Sequence, residues 1–240
     1  MTPHGPLYCE TGHPWLFMAE PVNTITNAFI VLAAILAWRE VRRAKVGMPF
    51  DLTILLFLLF ATGIGSFFWH AFRTRVALAF DALPGLLFLF VFSGLWINRL
   101  FGRWAAIFGA FGLLIAAAGS IYLTVTLFPV MRTFPPAISL APGYATISLI
   151  GFSLVVVTVR KIGWTSAEIV AGALVCAITA AVCRSIDLAV CSVIPFGTHF
   201  LWHILLSTAA YLGIVFLLRQ KVREAHASTG SCFDRLSMRS

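Results

Sequence analysis

The sequence predicts an all-α membrane protein, a seven-transmembrane helix bundle with its N-terminus non-cytoplasmic and its C-terminus cytoplasmic. Three observations carry that expectation. Of 240 residues, 60% are hydrophobic and only 11% charged, whereas a soluble domain carries roughly 25% charged residues. Seven apolar runs, each close to the ~20 residues that cross a hydrocarbon core of about 30 Å, are joined by short connections. The basic residues alternate between the two sides from one connection to the next.

The first run, Val22–Trp38, follows a polar and aromatic stretch without a basic n-region or a short apolar h-region, so no cleavable signal peptide is expected. Asn23, Thr24 and Asn27 at its start read as capping and interhelical hydrogen-bonding groups. The second, Leu52–Phe72, ends on Ser66 and His70. The third, Leu78–Ile97, carries Asp81 near its start. The fourth and fifth, Trp104–Phe128 and Ala137–Val159, contain Gly109, Gly112, Ala116–Ala118, Gly119, Gly143 and Gly151, small residues that permit close helix approach. The sixth, Ser166–Cys183, has Glu168 in its first turn, where an acidic group suits a helix N-terminus. The seventh, Thr198–Leu218, opens on His199 and His203. Residues 1–220 therefore form one membrane domain, with the short tail 1–21 on the face that carries the histidines. From Glu224 the chain is polar and aperiodic, so 221–240 reads as a disordered cytoplasmic tail. No soluble domain and no internal repeat is apparent.

Thirteen of the seventeen Lys and Arg fall on one side of this arrangement; Arg73, Arg75, Arg132 and Arg184 fall on the other. The rule that Lys and Arg stay in the cytoplasm sets the orientation. The net charge of +8 thus reads as topology. Nucleic-acid binding is excluded, because no basic face or aromatic platform accompanies the charge.

Polar groups at membrane depth are expensive and mark function. His199-Phe-Leu-Trp202-His203 and Ser66-Phe-Phe-Trp-His70 share one spacing. Residues four apart differ by about 40° around a helix and about 6 Å along it, so each pair shares a face. His70, Asp81, His199 and His203 all lie toward the non-cytoplasmic side. Three imidazoles, a carboxylate and a hydroxyl make the inventory of a catalytic zinc site with an open fourth position. Three neutral ligands leave the ion its double charge to polarise a water. Asp81 would accept the water's proton or orient it, and Ser66 would donate to an oxyanion. Each piece alone has a plainer reading. Paired histidines on one helix face are often incidental, Ser66 would bond its own backbone, and Asp81 would be a helix N-cap if residues 75–79 form a loop. A structural zinc site in a receptor-like bundle and a metal or proton transporter also remain open. Against the latter, the polar groups cluster in one layer.

Six segments together resemble the alkaline ceramidases. They are Tyr8-Cys9-Glu10, Glu20-Pro-Val-Asn23-Thr24-Ile-Thr-Asn27, Gly63-Ile-Gly65-Ser66-Phe-Phe-Trp-His70, Asp81-Ala-Leu-Pro84, Ser185-Ile-Asp187-Leu-Ala-Val-Cys191 and His199-Phe-Leu-Trp202-His203. That family belongs to a wider group of seven-helix zinc hydrolases that includes adiponectin-receptor-like proteins. The resemblance implies an intramembrane amidohydrolase that cuts a ceramide-like sphingolipid, entering from the bilayer, into a long-chain base and a fatty acid. It implies zinc on His70, His199 and His203, with Ser66 and Asp81 acting on the oxyanion and the water. It further implies a calcium ion held through the N-terminal tail, with Glu10 and Glu20 at two of its positions. Leu7 and Gly12 stand where the family pattern has oxygen-bearing side chains. A disulfide between Cys9 and Cys191 is implied too, in an oxidising compartment. Cys176 and Cys183 read as small buried apolar residues, and Asp187 as a surface pair with Arg184 or a cap. Trp202 reads as an interfacial aromatic. The Ala- and Arg-rich composition leans toward a bacterial inner membrane, with the site at the periplasmic face.

Overall fold

In a computed structural model the described residues are 7–11, 17–134 and 136–237, with side chains omitted at 132–133, 136–137 and from 227 onward. Among them the secondary structure is entirely helical. The helices are α1 (Pro21–Thr26), α2 (Ala28–Arg43), α3 (Phe50–Phe72), α4 (Arg75–Phe101), α5 (Arg103–Leu127), α6 (Pro136–Ser139), α7 (Ala141–Ile162), α8 (Trp164–Ile186) and α9 (His199–Ser237). Seven segments are long and apolar enough to cross a membrane: α1 with α2 as one, then α3, α4, α5, α7, α8 and α9. The chain is an integral, multi-pass membrane protein.

Helix ends are where the structure departs from the sequence pattern. Helix α4 starts at Arg75, three residues before the expected Leu78, because the Thr74 hydroxyl accepts from the Ala77 N–H at 3.1 Å and caps it. Asp81 therefore lies inside the second turn of a helix and is not an N-cap. The fifth span starts at Ala141, with residues 136–139 folded as a separate short helix. Helix α9 stays helical to Ser237, through residues expected to be irregular.

The apolar core occupies one half of the bundle. Val41, Leu52, Leu55, Trp96, Val170, Ile214, Phe216 and Leu217 form a buried cluster, and the Trp96 indole donates to Thr158 Oγ1 at 3.0 Å. Below it the basic rim is tied by Lys221–Asp51 at 2.8 Å and Arg99–Glu224 at 2.5 Å. Large apolar side chains point outward along α2, α3, α4, α5, α7 and α8, among them Phe57, Phe108, Ile115 and Leu149. In water such a surface would aggregate; in lipid it is the solvent-facing side. Of the small residues anticipated in α5 and α7, Gly109, Gly143 and Gly151 sit against Ile97, Ile121 and Leu174, whereas Gly112 and Gly119 face open space.

Candidate metal centre

The other half of the bundle gathers the polar side chains. Helices α3 and α4 are antiparallel and joined by only Arg73 and Thr74, with Arg73 left-handed at φ 55°. Ser66 and His70 at the end of α3 thus come level with Asp81 at the start of α4. Gly65 permits the last approach: a Cβ there would lie 1.9 Å from the Phe80 carbonyl oxygen. Pro84 inside α4 has no N–H for that carbonyl, so the group freed by the proline packs on the glycine. The Ser66 hydroxyl donates to the Asp81 carboxylate, which also lies in the field of Arg184 and Arg73.

Helix α9 brings the other two imidazoles. Its first N–H groups are held by Asp187, which accepts from Thr198 and His199 at 2.7 and 2.8 Å through one oxygen. The second oxygen accepts from Cys9 N–H at 3.0 Å. Asp187 is fully buried, so it is a cap and not part of a surface pair. Gly197, at φ 67°, makes the turn before α9, and a Cβ there would lie 2.1 Å from the Asp187 carboxylate. A disulfide joins Cys9 to Cys191 and holds the N-terminal tail over this end of the bundle. Cys176 and Cys183 are free thiols, half-buried and buried.

His70, His199 and His203 are each buried, and one ring nitrogen from each lies within 4.8 Å of the other two. Neighbouring groups decide which nitrogens are free. Thr26 has one hydroxyl proton, directed to the Val22 or Asn23 carbonyl at 2.9 or 3.1 Å. With the proton so placed, the hydroxyl oxygen accepts from His203 Nδ1 at 2.9 Å. His203 Nδ1 carries the hydrogen, and Nε2 is buried with no hydrogen-bond partner. Glu20 does the same for His70, accepting from Nδ1 at 2.5 Å. His199 Nδ1 is likewise buried without a partner. Orphaned, lone-pair-bearing imidazole nitrogens facing one another are costly unless a cation fills the space between them. The three residues fit a metal ion, with Glu20 and Thr26 as the outer groups that fix ring tautomers.

The sequence reading missed most of this second layer. Thr26 looks like an ordinary helix residue, and Glu20 suggested calcium. Tyr8 stacks on the His199 ring at 4.2 Å and tilts against His70 at 5.2 Å. Glu10 accepts from the Val22 and Asn23 N–H groups at 2.6 and 2.8 Å, which caps α1 from outside. Burial pushes its carboxyl above the ordinary value; those two N–H groups oppose the rise, and the charge of Asp187 adds to it. Glu20 is paired with Arg73 and accepts from Asn23 Nδ2 at 3.1 Å as well as from His70. Calcium requires six to eight oxygens. Here one carboxylate is taken by backbone donors and the other by a guanidinium, an amide and an imidazole, so this pair does not fit that ion. Gly12 lies outside the described residues. Trp202 turns toward Tyr144, ring centres 5.5 Å apart.

Fold and site define a membrane-embedded protein with a buried, metal-competent histidine triad beside a serine–aspartate pair. The sequence model of the Ceramidase family matches residues 7–233, nearly the whole chain, and the protein belongs to that family. Membership implies a hydrolase acting on amide bonds and a lipid substrate. No curated protein matches the chain.

Proposed function

We propose that this protein hydrolyses the N-acyl amide of ceramide-like sphingolipids, releasing a long-chain base and a fatty acid, with zinc held by His70, His199 and His203. The supporting observation is the convergence of His70, His199 and His203, two of them with a buried partnerless ring nitrogen, beside Ser66 and Asp81. Zinc bound there supplies a Lewis acid for the carbonyl and lowers the pKa of water at the site. Asp81 takes the proton from the attacking water and returns it to the leaving nitrogen as the C–N bond breaks. Ser66 donates to Asp81 at rest; once Asp81 is protonated, that hydroxyl is released to donate to the oxyanion. The buried setting strengthens both interactions.

A purely structural zinc site closes with four protein ligands. The presence of Ser66 and Asp81 beside three favours catalysis. The alternation of basic residues supports a non-cytoplasmic site with the polar end of the chain, 221–240, in the cytoplasm, and the Ala- and Arg-rich composition supports a bacterial inner membrane, whose non-cytoplasmic face is periplasmic.

Purified protein supplied with labelled ceramide should release fatty acid and contain about one zinc per chain. Asp81→Asn should keep the metal and lose at least ~100-fold in turnover, the usual scale for a general base. His199→Ala should lose both. Equal turnover by the wild type and His199→Ala rejects the proposal.

A further inference from the structure

Neutral ceramide offers no charge to bind, yet two arginines stand over the site. The guanidinium carbons of Arg73 and Arg184 lie 4.6 and 4.4 Å from the centre of the same Tyr8 ring, which itself stacks on His199. Arg73 is further held by the Trp69 ring at 4.5 Å and by Glu20. Each nonetheless has a buried Nη1 with no hydrogen-bond partner among the described residues. The charge of Arg184 acts on Asp81, Tyr144 and all three histidines, so it lies within the site's electrostatic reach. Two like charges sharing one aromatic ring repel. A buried guanidinium N–H without an acceptor is a further cost, relieved by a ligand that carries an oxyanion. The aromatic faces position the two forks and the Tyr8 hydroxyl accepts from Arg73, but neither Nη1 has an acceptor among the described residues.

We infer that Arg184 and Arg73 form an anion subsite beside the histidine triad, which takes an anionic oxygen group on the substrate or product. The inference rests on the proposed lipid-amide hydrolysis for its setting. Two sources share the chemistry: the carboxylate of the released fatty acid, and an acidic headgroup on the amine half of the lipid.

Binding can be measured without turnover by isothermal titration of the metal-loaded, full-length protein in detergent. The probes are palmitate, a phosphorylated long-chain base, and two controls without an anionic group, hexadecanol and the unphosphorylated base. Arg184→Gln should weaken an anionic probe about tenfold or more, the scale of one charged hydrogen bond, while the controls shift less than about twofold. Arg184→Lys should recover part of the loss, because it restores charge without the fork. A loss confined to palmitate assigns the subsite to the fatty acid; one confined to the phosphorylated base assigns it to the headgroup. If neither anionic probe is weakened in a variant whose thermal unfolding matches wild type, the subsite does not exist. Because no probe contains an amide, Arg184-dependent binding in a protein inactive on ceramide would sink the proposed function and leave the subsite standing. Unaltered binding in an active enzyme would do the reverse.

Discussion

Glu20 and Thr26 make no claim on function by their type, yet each settles which nitrogen of a histidine is free. Both accept from Nδ1, at 2.5 and 2.9 Å, and leave Nε2 as the lone-pair side. Outer groups of this kind usually govern 10–100-fold in metal affinity. Glu20→Gln should therefore lower zinc affinity by about tenfold or more in chelator competition, since the amide keeps an acceptor and loses the pairing with Arg73. Thr26→Val should act in the same direction on His203; unchanged affinity in both would show that the tautomers are set elsewhere. Glu10 makes a pH prediction. Its folded value lies above the ordinary 4.5 because burial disfavours the charge, so its contribution to stability is complete below the unfolded value and is lost as pH rises through the folded one. In thermal unfolding, wild type should lose ground against Glu10→Gln as pH rises from about 4.5; a widening advantage would contradict the burial argument. The histidines, Ser66 and Asp81 were legible from spacing and membrane depth. Arg73, Arg184 and Tyr8 were not, because a cation stacked on a ring leaves no periodic trace in sequence.

At the scale of the helix, the decisive contact is the crossing of α3 and α4. Gly63 faces Val31 of α2, and Gly65 faces the Phe80–Asp81 backbone of α4. One helix is thus gripped on two sides through the Gly63-Ile-Gly65-Ser66 segment. Gly65→Ala must push α4 away, since its Cβ would stand 1.9 Å from a carbonyl oxygen. Overpacking of this kind costs about 1–3 kcal/mol, and the displacement should remove Asp81 from Ser66. The expected outcome is a lowered unfolding temperature with near-complete loss of hydrolysis, whereas Gly112→Ala, which meets nothing within 4 Å, changes neither. Wild-type activity in Gly65→Ala would mean that the crossing does not set the site. The seven spans themselves were readable from apolar length. Their ends were not: Thr74 capping α4, and Asp187 capping α9 from eleven residues away, depend on hydrogen bonds that hydropathy does not register.

Across the molecule, the site is closed by a tail that crosses no membrane. The disulfide Cys9–Cys191, the Cys9 N–H on Asp187 and the Glu10 cap on α1 hold that tail to the connection between α8 and α9 and to the start of α1. The double variant Cys9→Ser, Cys191→Ser should lose about 2–4 kcal/mol of stability. It should also lose activity as Tyr8 leaves His199; a fully active and equally stable variant would show that the tail is dispensable. The sequence by itself determined the seven-helix class, the membrane setting and the five residues of chemical interest, because lipid demands long apolar runs and makes every interruption conspicuous. Only the tertiary structure decided which nitrogens are free, that Glu20 pairs with Arg73, and that Asp187 is a buried cap. Those outcomes depend on which donor lies nearest an acceptor once residues far apart in the chain are packed together, and distance along a sequence carries no record of that.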